Sequence, residues 1–399
     1  MALTNTRQRY GGVTKTFHWL MALLILTLIP LGWYAGQLPY ETSAELARKA
    51  QLYSLHKTLG VTAFFVALAR IGWALSQPKP GLLNADHKVE SFAAEMMHWL
   101  LYGALVILPL SGWISHAAAE GFAPILWPFG QGLPLVPKSP QVEHFFAAIH
   151  WVSARLLILA LLLHFAGAIK HHIIDRDATL RRMLPGEAVV GPLPSQSHSA
   201  APLVTAAALW LAAIATGATF ALQEAKTHAP QADALAEVTS DWQVQDGTIE
   251  ITVTQFGNSV TGSFSDWTAQ ITFDETTTDR KKGDVVATIS IPSLTLGSVT
   301  QQALGADFFD ATNHPTATFA ADLMAASDGY EATGTLTIKG TAVPVSMPFA
   351  LAITDDSAEM RGALTLDRRS FQIGANMADE QNLGFAVDVL ITLTANRAP

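Results

Sequence analysis

The sequence of 399 residues predicts a membrane all-α half, a four-helix bundle plus a fifth transmembrane helix, followed by a soluble all-β half. Three observations support this fold class. Hydrophobic residues make up 50% of the chain and charged residues only 14%, which is unusual for a soluble protein. Up to Leu222 there are 15 Lys and Arg against 10 Asp and Glu, whereas the remainder has 9 against 23. Near Asp241 long apolar runs give way to alternation with a period of two.

Five apolar stretches are long enough, or nearly so, to cross about 30 Å of hydrocarbon. They are residues 17–36, 55–75, 96–117, 145–169 and 202–222. Lys and Arg are distributed unevenly between the loops: nine lie in 1–16, 77–91 and 170–200, and three in 37–54 and 117–144. The positive-inside rule then predicts a multi-pass membrane protein with a cytoplasmic N-terminus. Everything after Gln223 is expected in the periplasm.

The predicted domain boundaries follow these changes in pattern. They are a bundle at 1–185, a cytoplasmic loop and fifth helix at 186–222, a tether at 223–239 and a β-domain at 240–399. The chain has no cysteine, which excludes disulfides, iron–sulfur clusters, thiolate zinc sites and covalently attached haem.

The stretch "HWVSARLLILALLLH" places His150 and His164 fourteen residues apart in the fourth span. On a helix they would lie about 21 Å apart on nearly the same side. His18 begins the first span and His56 the second, so alternating crossings give two layers, His56 with His150 and His18 with His164. A single interfacial histidine is usually only hydrogen-bonded or snorkelling. Four in two matched pairs favour bis-histidine ligation of two haem b groups.

His98 begins the third span on the same side as His18, and spacing alone leaves two roles open for it. It could replace His18 opposite His164, or it could serve a quinone site or a proton path.

Three cations are further candidates for cofactor binding. Arg70 follows His56 by fourteen residues and could pair with haem propionates or snorkel at a helix end. Arg155 lies about one and a half turns beyond His150 and could tune the outer haem, and Lys57 adjoins His56.

Residues 7–185 resemble bacterial cytochrome b561, a four-helix di-haem b membrane protein. The resemblance rests on "RYGGVTKTFHW", "LHKTLGVTAFFVALARIGW", "MMHWLLYGALVILPLSGW" and "IHWVSARLLILALLLHFAGAIKHH". It implies that His18 and His164 hold the cytoplasmic-side haem, and His56 and His150 the periplasmic-side haem. It also implies electron exchange with ubiquinone and, in part of the family, oxidation of superoxide. The family usually ends after four helices, so the fifth departs from it.

The second half contains several short segments of alternating pattern, "TIEITVTQF", "DVVATISI", "YEATGTLTIKG", "VSMPFALAI" and "FAVDVLITL". They predict an antiparallel barrel or sandwich. The residues expected to face inward are Ile249, Ile251, Val253, Ile289, Ile291, Leu336, Ile338, Val345, Met347, Phe349, Val387, Val389 and Ile391. On pattern alone a filled core is expected.

Residues 240–396 resemble the YceI-like family of lipocalin-like barrels, which bind polyisoprenoid chains. The matching pieces are "SVTGSFSDWTAQITFD", "ALGADFFDATNHPTATF" and "ATGTLTIKGTAVPVSMPF". The resemblance implies a cavity for an isoprenoid tail, such as that of a quinone. Candidates for its walls are Phe264, Phe308, Phe309 and Phe319. The family usually has a charged arginine–aspartate stretch before the two phenylalanines, where this chain reads "TQQALGADFF".

The predicted function is a quinone-linked oxidoreductase that exchanges electrons between the quinone pool and a periplasmic donor or acceptor. Candidate quinone residues near the cytoplasmic face are His98, Lys88 and His171. Superoxide:ubiquinone oxidoreduction is one candidate activity, although an acidic periplasmic half would repel an anionic donor. The expected partners are quinone and the lipid bilayer, and no nucleic acid. The alternative is an isoprenoid-binding module whose haem-containing membrane half is an anchor or redox sensor without turnover.

Overall fold

The computed structural model describes residues 2–119, 123–126, 128–186, 188, 190–191, 193, 199–227, 235–236, 238–297 and 299–398. Residues 228–234 and 237 of the predicted tether lie outside this description. The chain forms two compact units. The first comprises Met1–Gln37, Gln51–Ala118 and Pro124–Thr227, and the second comprises Leu38–Ala50, Ala119–Ala123 and His228–Pro399.

Five helices of the described residues are long and apolar enough to cross a membrane, as predicted. They are α1 (Gly12–Gln37), α2 (Ser43–Leu75), α3 (Lys88–Ala118), α4 (Pro140–Ile173) and α5 (Ala201–Thr227). Each begins before the apolar stretch that predicted it. The difference is largest for α2, because the polar residues "SAELARKAQ" are good helix formers and extend the helix beyond the hydrocarbon.

Helices α3, α4 and α5 share one buried cluster. Its members are Met97, Leu100, Ala104, Leu157, Ala160, Ala206, Trp210 and Ala213. A second cluster joins α1 and α2 to α3 through Met21, Ala63, Ala67 and Leu105. Small alanines dominate both clusters, so the helix backbones can approach closely, as is common in membrane bundles.

The fifth helix is held against the bundle by two glycines. A methyl group at Gly103 of α3 would overlap Nε1 of Trp210, and this indole N–H donates to the carbonyl of Leu100 at 3.2 Å. Near the other end of α5, a methyl group at Gly217 would lie 2.9 Å from Cα of Ile149. Helix α5 is therefore an integral member of the bundle.

Replacement of Gly103 by leucine is expected to expel Trp210 from its groove and to lower stability by about 1–3 kcal/mol, the usual cost of overpacking. The measurement is thermal unfolding in detergent, followed by helical circular dichroism. Gly72→Leu is the matched control, because a side chain at Gly72 in α2 meets nothing within 4 Å. Equal effects of the two substitutions would contradict this role for Gly103.

The described residues of the second unit form ten strands in one antiparallel sheet. They are β1 (Trp242–Gln255), β2 (Asn258–Phe264), β3 (Trp267–Phe273), β4 (Lys281–Ser290), β5 (Leu294–Thr295), β6 (Thr316–Ala325), β7 (Tyr330–Ile338), β8 (Thr341–Thr354), β9 (Ser357–Asp367) and β10 (Leu383–Arg397). Their order in the sheet is β3-β4-β6-β7-β8-β9-β10-β1-β2-β5. A short helix, α6 (Thr300–Leu304), lies between β5 and β6.

The sheet curls into a lipocalin-like barrel. Strand β3 returns to the start of β1, where Ser240 Oγ accepts a hydrogen bond from the Ile271 amide at 2.7 Å. A methyl group at Gly247 in β1 would lie 2.8 Å from the Trp267 ring, so glycine permits this close approach. The fold class predicted from the sequence is confirmed: a helical membrane half and an all-β antiparallel barrel.

Candidate functional site

Three histidines from three helices meet in the first unit, and we call them the His18 cluster: His18 of α1, His98 of α3 and His164 of α4. The ring centres of His18 and His164 lie 6.4 Å apart with an interplanar angle of 55°. Those of His98 and His164 lie 5.4 Å apart and meet edge to face at 85°. The structure therefore brings both predicted partners to His164.

Distance distinguishes the two partners. Two imidazoles that face each other across one metal, with nitrogen–metal bonds of about 2.0–2.1 Å as on zinc, have ring centres roughly 6.3 Å apart. The pair His18–His164 matches this separation. His98 is closer and edge-on, and its Nδ1 is hydrogen-bonded to the Ala94 carbonyl of its own helix at 2.6 Å. The geometry favours His18 as the partner of His164.

The second pair, which we call the His56 cluster, consists of His56 of α2 and His150 of α4, which interact electrostatically. Each ring packs against a glycine of a neighbouring helix. A methyl group at Gly32 of α1 would lie 2.6 Å from Cε1 of His56, and one at Gly112 of α3 would lie 3.1 Å from Nδ1 of His150. Any larger residue at either glycine would force the histidine ring to move.

Hydrogen bonding orients the His150 ring. Its Nδ1 lies 2.9 Å from the Leu108 carbonyl and 3.4 Å from Ser111 Oγ. A proton on Nδ1 that is donated to this carbonyl leaves the lone pair on Nε2 for a metal, which is the usual arrangement of a ligating histidine. The His56 ring lies within reach of the Leu28 carbonyl of α1, although its buried Nδ1 makes no hydrogen bond of standard geometry within the described part of the chain.

These residues fit a bis-histidine group. The donors in both pairs are neutral nitrogen bases from different helices, and all four rings are half-buried. Glycine leaves room beside His56 and His150, and the separation of His18 from His164 suits two axial ligands.

The three candidate cations occupy different surroundings. Arg70 acts electrostatically on His18, His98 and His164, and its guanidinium lies 5.4 Å from the centre of the Tyr102 ring. Lys57 is buried beside the His56 cluster. Arg155 lies five residues after His150 on α4, and residues five apart on a helix face different sides. It is exposed, lies over the Trp151 ring and donates to the Trp151 carbonyl at 2.8 Å.

Two groups near the His56 cluster were missed by the sequence reasoning. His116 of α3 interacts electrostatically with His56, His150 and Lys57, and Glu143 of α4 interacts with Lys57. One buried carboxylate oxygen of Glu143 has no hydrogen-bond partner among the described residues. The available signal was a histidine near the end of the third apolar stretch, in "WISHAA".

Of the quinone candidates, only His98 joins a histidine cluster. Lys88 is exposed at the first residue of α3. His171 is paired by its Nδ1 with Asp177 at 2.7 Å and Asp175 at 3.1 Å. Burial alone would raise the pKa of Asp177, but hydrogen bonds from Thr179 and His171 outweigh it and hold this pKa below its usual value.

The barrel encloses an apolar cavity of about 180 Å³, next to a second of about 100 Å³. The two share wall residues, including Ile249, Ala287 and Phe319, and so form one elongated interior. A designed cavity of about 150 Å³ already binds benzene. The filled core expected from alternation alone is therefore wrong, because small residues such as Ala303 and Ala317 occupy wall positions.

The four predicted phenylalanines, Phe264, Phe308, Phe309 and Phe319, all line the larger cavity. All the residues predicted to face inward also line one of the two cavities. The sequence reasoning missed Arg368 and Gln255, which are buried polar residues in the wall of the larger cavity.

Comparisons with known proteins agree with this division. Residues 9–186 match the family model for prokaryotic cytochrome b561, and residues 241–395 match that for the YceI-like domain. Cytochrome b561 homolog 2 of Escherichia coli (strain K12) is 32% identical over 185 residues, which cover 46% of this chain and 95% of that protein.

Two further proteins are each similar to one half of this chain. A Yersinia pestis protein named "Probable superoxide oxidase CybB" is 25% identical over 182 residues, which cover 45% of this chain and 97% of that protein. The crystal structure of Burkholderia cenocepacia BcnA is similar at 29% identity and a TM-score of 0.36, covering 38% of this chain and 96% of that one. The chain therefore belongs to the prokaryotic cytochrome b561 family and carries a YceI-like domain after its membrane helices.

Proposed function

We propose that the chain is a quinone-linked di-haem b electron-transfer protein of the bacterial inner membrane, whose periplasmic barrel binds a quinone or another polyisoprenoid. The family implies haem b. The observation that carries the rest of the proposal is the pairing of histidines between α4 and other helices. The His18 and His164 rings lie 6.4 Å apart, and His56 and His150 are near enough to interact electrostatically. Haem, when bound, would supply reversible one-electron transfer at each pair.

The protein's own residues would hold and orient these groups. His18 with His164 would hold one haem and His56 with His150 the other, and the Leu108 carbonyl would fix the His150 tautomer. Arg70 acts electrostatically on the histidines of the His18 cluster and would neutralise propionate groups there. The distribution of Lys and Arg between the loops supports an orientation with the His18 cluster near the cytoplasm and the barrel in the periplasm.

His98 is the strongest of the three candidates for quinone chemistry. Quinol oxidation releases protons, so a base must lie near the electron acceptor. The Nδ1 of His98 is bonded to the Ala94 carbonyl, which leaves Nε2 as a proton acceptor within the His18 cluster. Lys88 and His171 lie on the same side but outside the cluster, and His171 is already paired with Asp177.

The electron donor on the periplasmic side is the least defined part of the proposal. Superoxide is one candidate, and a relative from Yersinia pestis carries the name of a superoxide oxidase. Residues 223–399 contain 9 basic and 23 acidic residues, and this excess of negative charge would repel an anion. We therefore favour the general statement, exchange between the quinone pool and a periplasmic partner, over superoxide in particular.

The test is the reduction of the purified full-length protein by ubiquinol, followed by reduced-minus-oxidised spectra. We expect rapid haem reduction, slowed by about 100-fold or more in His98→Ala, the usual cost of losing an acid–base group. His172→Ala is the matched control, because His172 is exposed at the end of α4. Haems that ubiquinol and periplasmic reductants do not reduce would instead support the anchor or sensor without turnover.

A further inference from the structure

Among the described residues that line the larger barrel cavity, Gln255, Gln302 and Arg368 are polar and the others are apolar. The hydrogen bonds that these side chains already make determine which polar head group of a ligand the interior can accept. The inference about this head group rests on the proposed function, namely that the barrel binds an isoprenoid.

Arg368 is the only charged side chain among the described residues of this lining, and its hydrogen-bond donors are not available to a ligand. The side chain is 3% exposed, and all five of its N–H groups donate to backbone carbonyls. The acceptors are Gly384 at 2.9 Å, Ile373 at 2.9 Å, Gly374 at 2.7 Å, Leu383 at 3.2 Å and Met377. Since a guanidinium has no more than five donors, pairing with a phosphate would require breaking these bonds.

Gln255, unlike Arg368, has hydrogen-bonding capacity left for a ligand. It is uncharged and 3% exposed at the end of β1, and its buried Oε1 has no hydrogen-bond partner in the described chain. An unpaired buried acceptor is costly, and a carboxamide can both accept and donate. A ligand hydroxyl could satisfy the oxygen, and a ligand carbonyl could accept from the amide nitrogen.

The surface around this end of the barrel is acidic. Asp307 adjoins Phe308 of the lining, Asp379 accepts from the amide of Leu383 through its carbonyl, and Glu380 acts electrostatically on Arg368. We call Asp307, Asp379 and Glu380 the rim acids; all three are exposed.

The nearby cations do not offset the rim acids. Arg369 is paired with Asp367 at 2.6 Å, so these two charges cancel. Lys339 donates to the Ala306 carbonyl at 2.7 Å and keeps its charge, which is one positive charge against the three negative charges of the rim acids. A phosphate approaching this end would therefore meet net negative charge.

We propose that the barrel selects isoprenoids with an uncharged, hydrogen-bonding head, such as a quinone, a quinol or a prenyl alcohol, over prenyl phosphates. Gln255 contacts the head, the apolar walls take the chain, and the rim acids and the saturated Arg368 disfavour an anion. Burying a phosphate without a free donor to pair with it is costly, so the discrimination is expected to exceed about tenfold in Kd.

The experiment measures binding of tritiated geranylgeraniol and geranylgeranyl phosphate, which have the same chain, to the full-length protein in detergent. The alcohol should bind at least about tenfold more tightly than the phosphate. Gln255→Leu should weaken the alcohol about five- to tenfold and leave the phosphate unchanged, because it removes one hydrogen bond to the alcohol. Gln301→Leu, at an exposed glutamine of α6, should change neither.

Ala287→Phe separates failure of this inference from failure of the proposed function. Ala287 lines both cavities, so phenylalanine fills the interior and should abolish binding of both lipids to the barrel. Equal or tighter binding of the phosphate, lost in Ala287→Phe, would overturn the head-group selection and leave isoprenoid binding intact. Binding of neither lipid, or binding unchanged by Ala287→Phe, would overturn both proposals.

Gln255→Leu also has a readout that does not depend on a ligand. Because the substitution keeps the volume and removes an unpaired buried acceptor, stability should be unchanged or raised. A large loss of stability would mean that Gln255 is structural and would overturn its assignment as the head contact.

Discussion

Replacement of His164 by alanine is expected to remove one of two haems and to halve the haem content per chain. His164 is the histidine of α4 that both His18 and His98 approach, and no other described histidine could replace it opposite His18. A haem with a single axial histidine in an apolar bundle loses half of its protein ligation. The measurement is the pyridine haemochrome assay on purified protein, with spectra at low temperature to resolve the two centres.

His18→Ala and His98→Ala decide between the two partners of His164. We expect haem loss in His18→Ala and full haem content in His98→Ala, because only the His18 pair has the separation of two axial ligands. His144→Ala, at an exposed histidine in the first turns of α4, is the control and should keep both haems. Full haem content in His164→Ala, or haem loss in His98→Ala alone, would show that the ligands are assigned incorrectly.

Replacement of Arg368 by methionine is expected to destabilise the barrel by at least about 3 kcal/mol. The substitution leaves five backbone carbonyls of the segment 373–384 without their donor, and each unpaired buried acceptor costs about 1–3 kcal/mol. Water can satisfy only some of them, so the cost falls short of the full sum. The measurement is hydrogen–deuterium exchange of residues 372–384, which should accelerate by about 100-fold or more.

The neighbouring arginine supplies the control. Arg369 is exposed and paired with Asp367, and exposed ion pairs contribute little. Arg369→Met should therefore leave exchange in this segment nearly unchanged. Similar exchange in the two variants would mean that water replaces the Arg368 donors, and the buried guanidinium would then be dispensable for the fold.

The sequence was most informative where one element alone determines the geometry. The fourteen residues between His150 and His164 set their depth and common face, because helix rise and rotation are constant. The alternation in β1, β4, β7, β8 and β10 likewise identified the residues that face the interior, because side chains on a strand alternate between its two faces.

Features that depend on two elements were not predictable from the sequence. Gly32 and Gly112 matter because a histidine of another helix packs on each of them. A single sequence does not reveal which helices are neighbours, so this role could not be predicted. Alternation also could not show whether the barrel interior is filled, since that depends on which side chains meet across it. Nor could "DRRSF" show which of its two arginines is buried.

Helix α4 carries one histidine of each pair, and it contains no proline between them, unlike α1 with Pro30 and α3 with Pro109. The distance between the His18 and His56 clusters is therefore set by one continuous helix and does not depend on how the surrounding helices tilt or slide. One residue inserted between positions 153 and 162 would turn the downstream imidazole by about 100° away from its partner. Substitutions in the same stretch would leave the distance between His150 and His164 unchanged. This stretch should therefore tolerate changes of residue far better than changes of length.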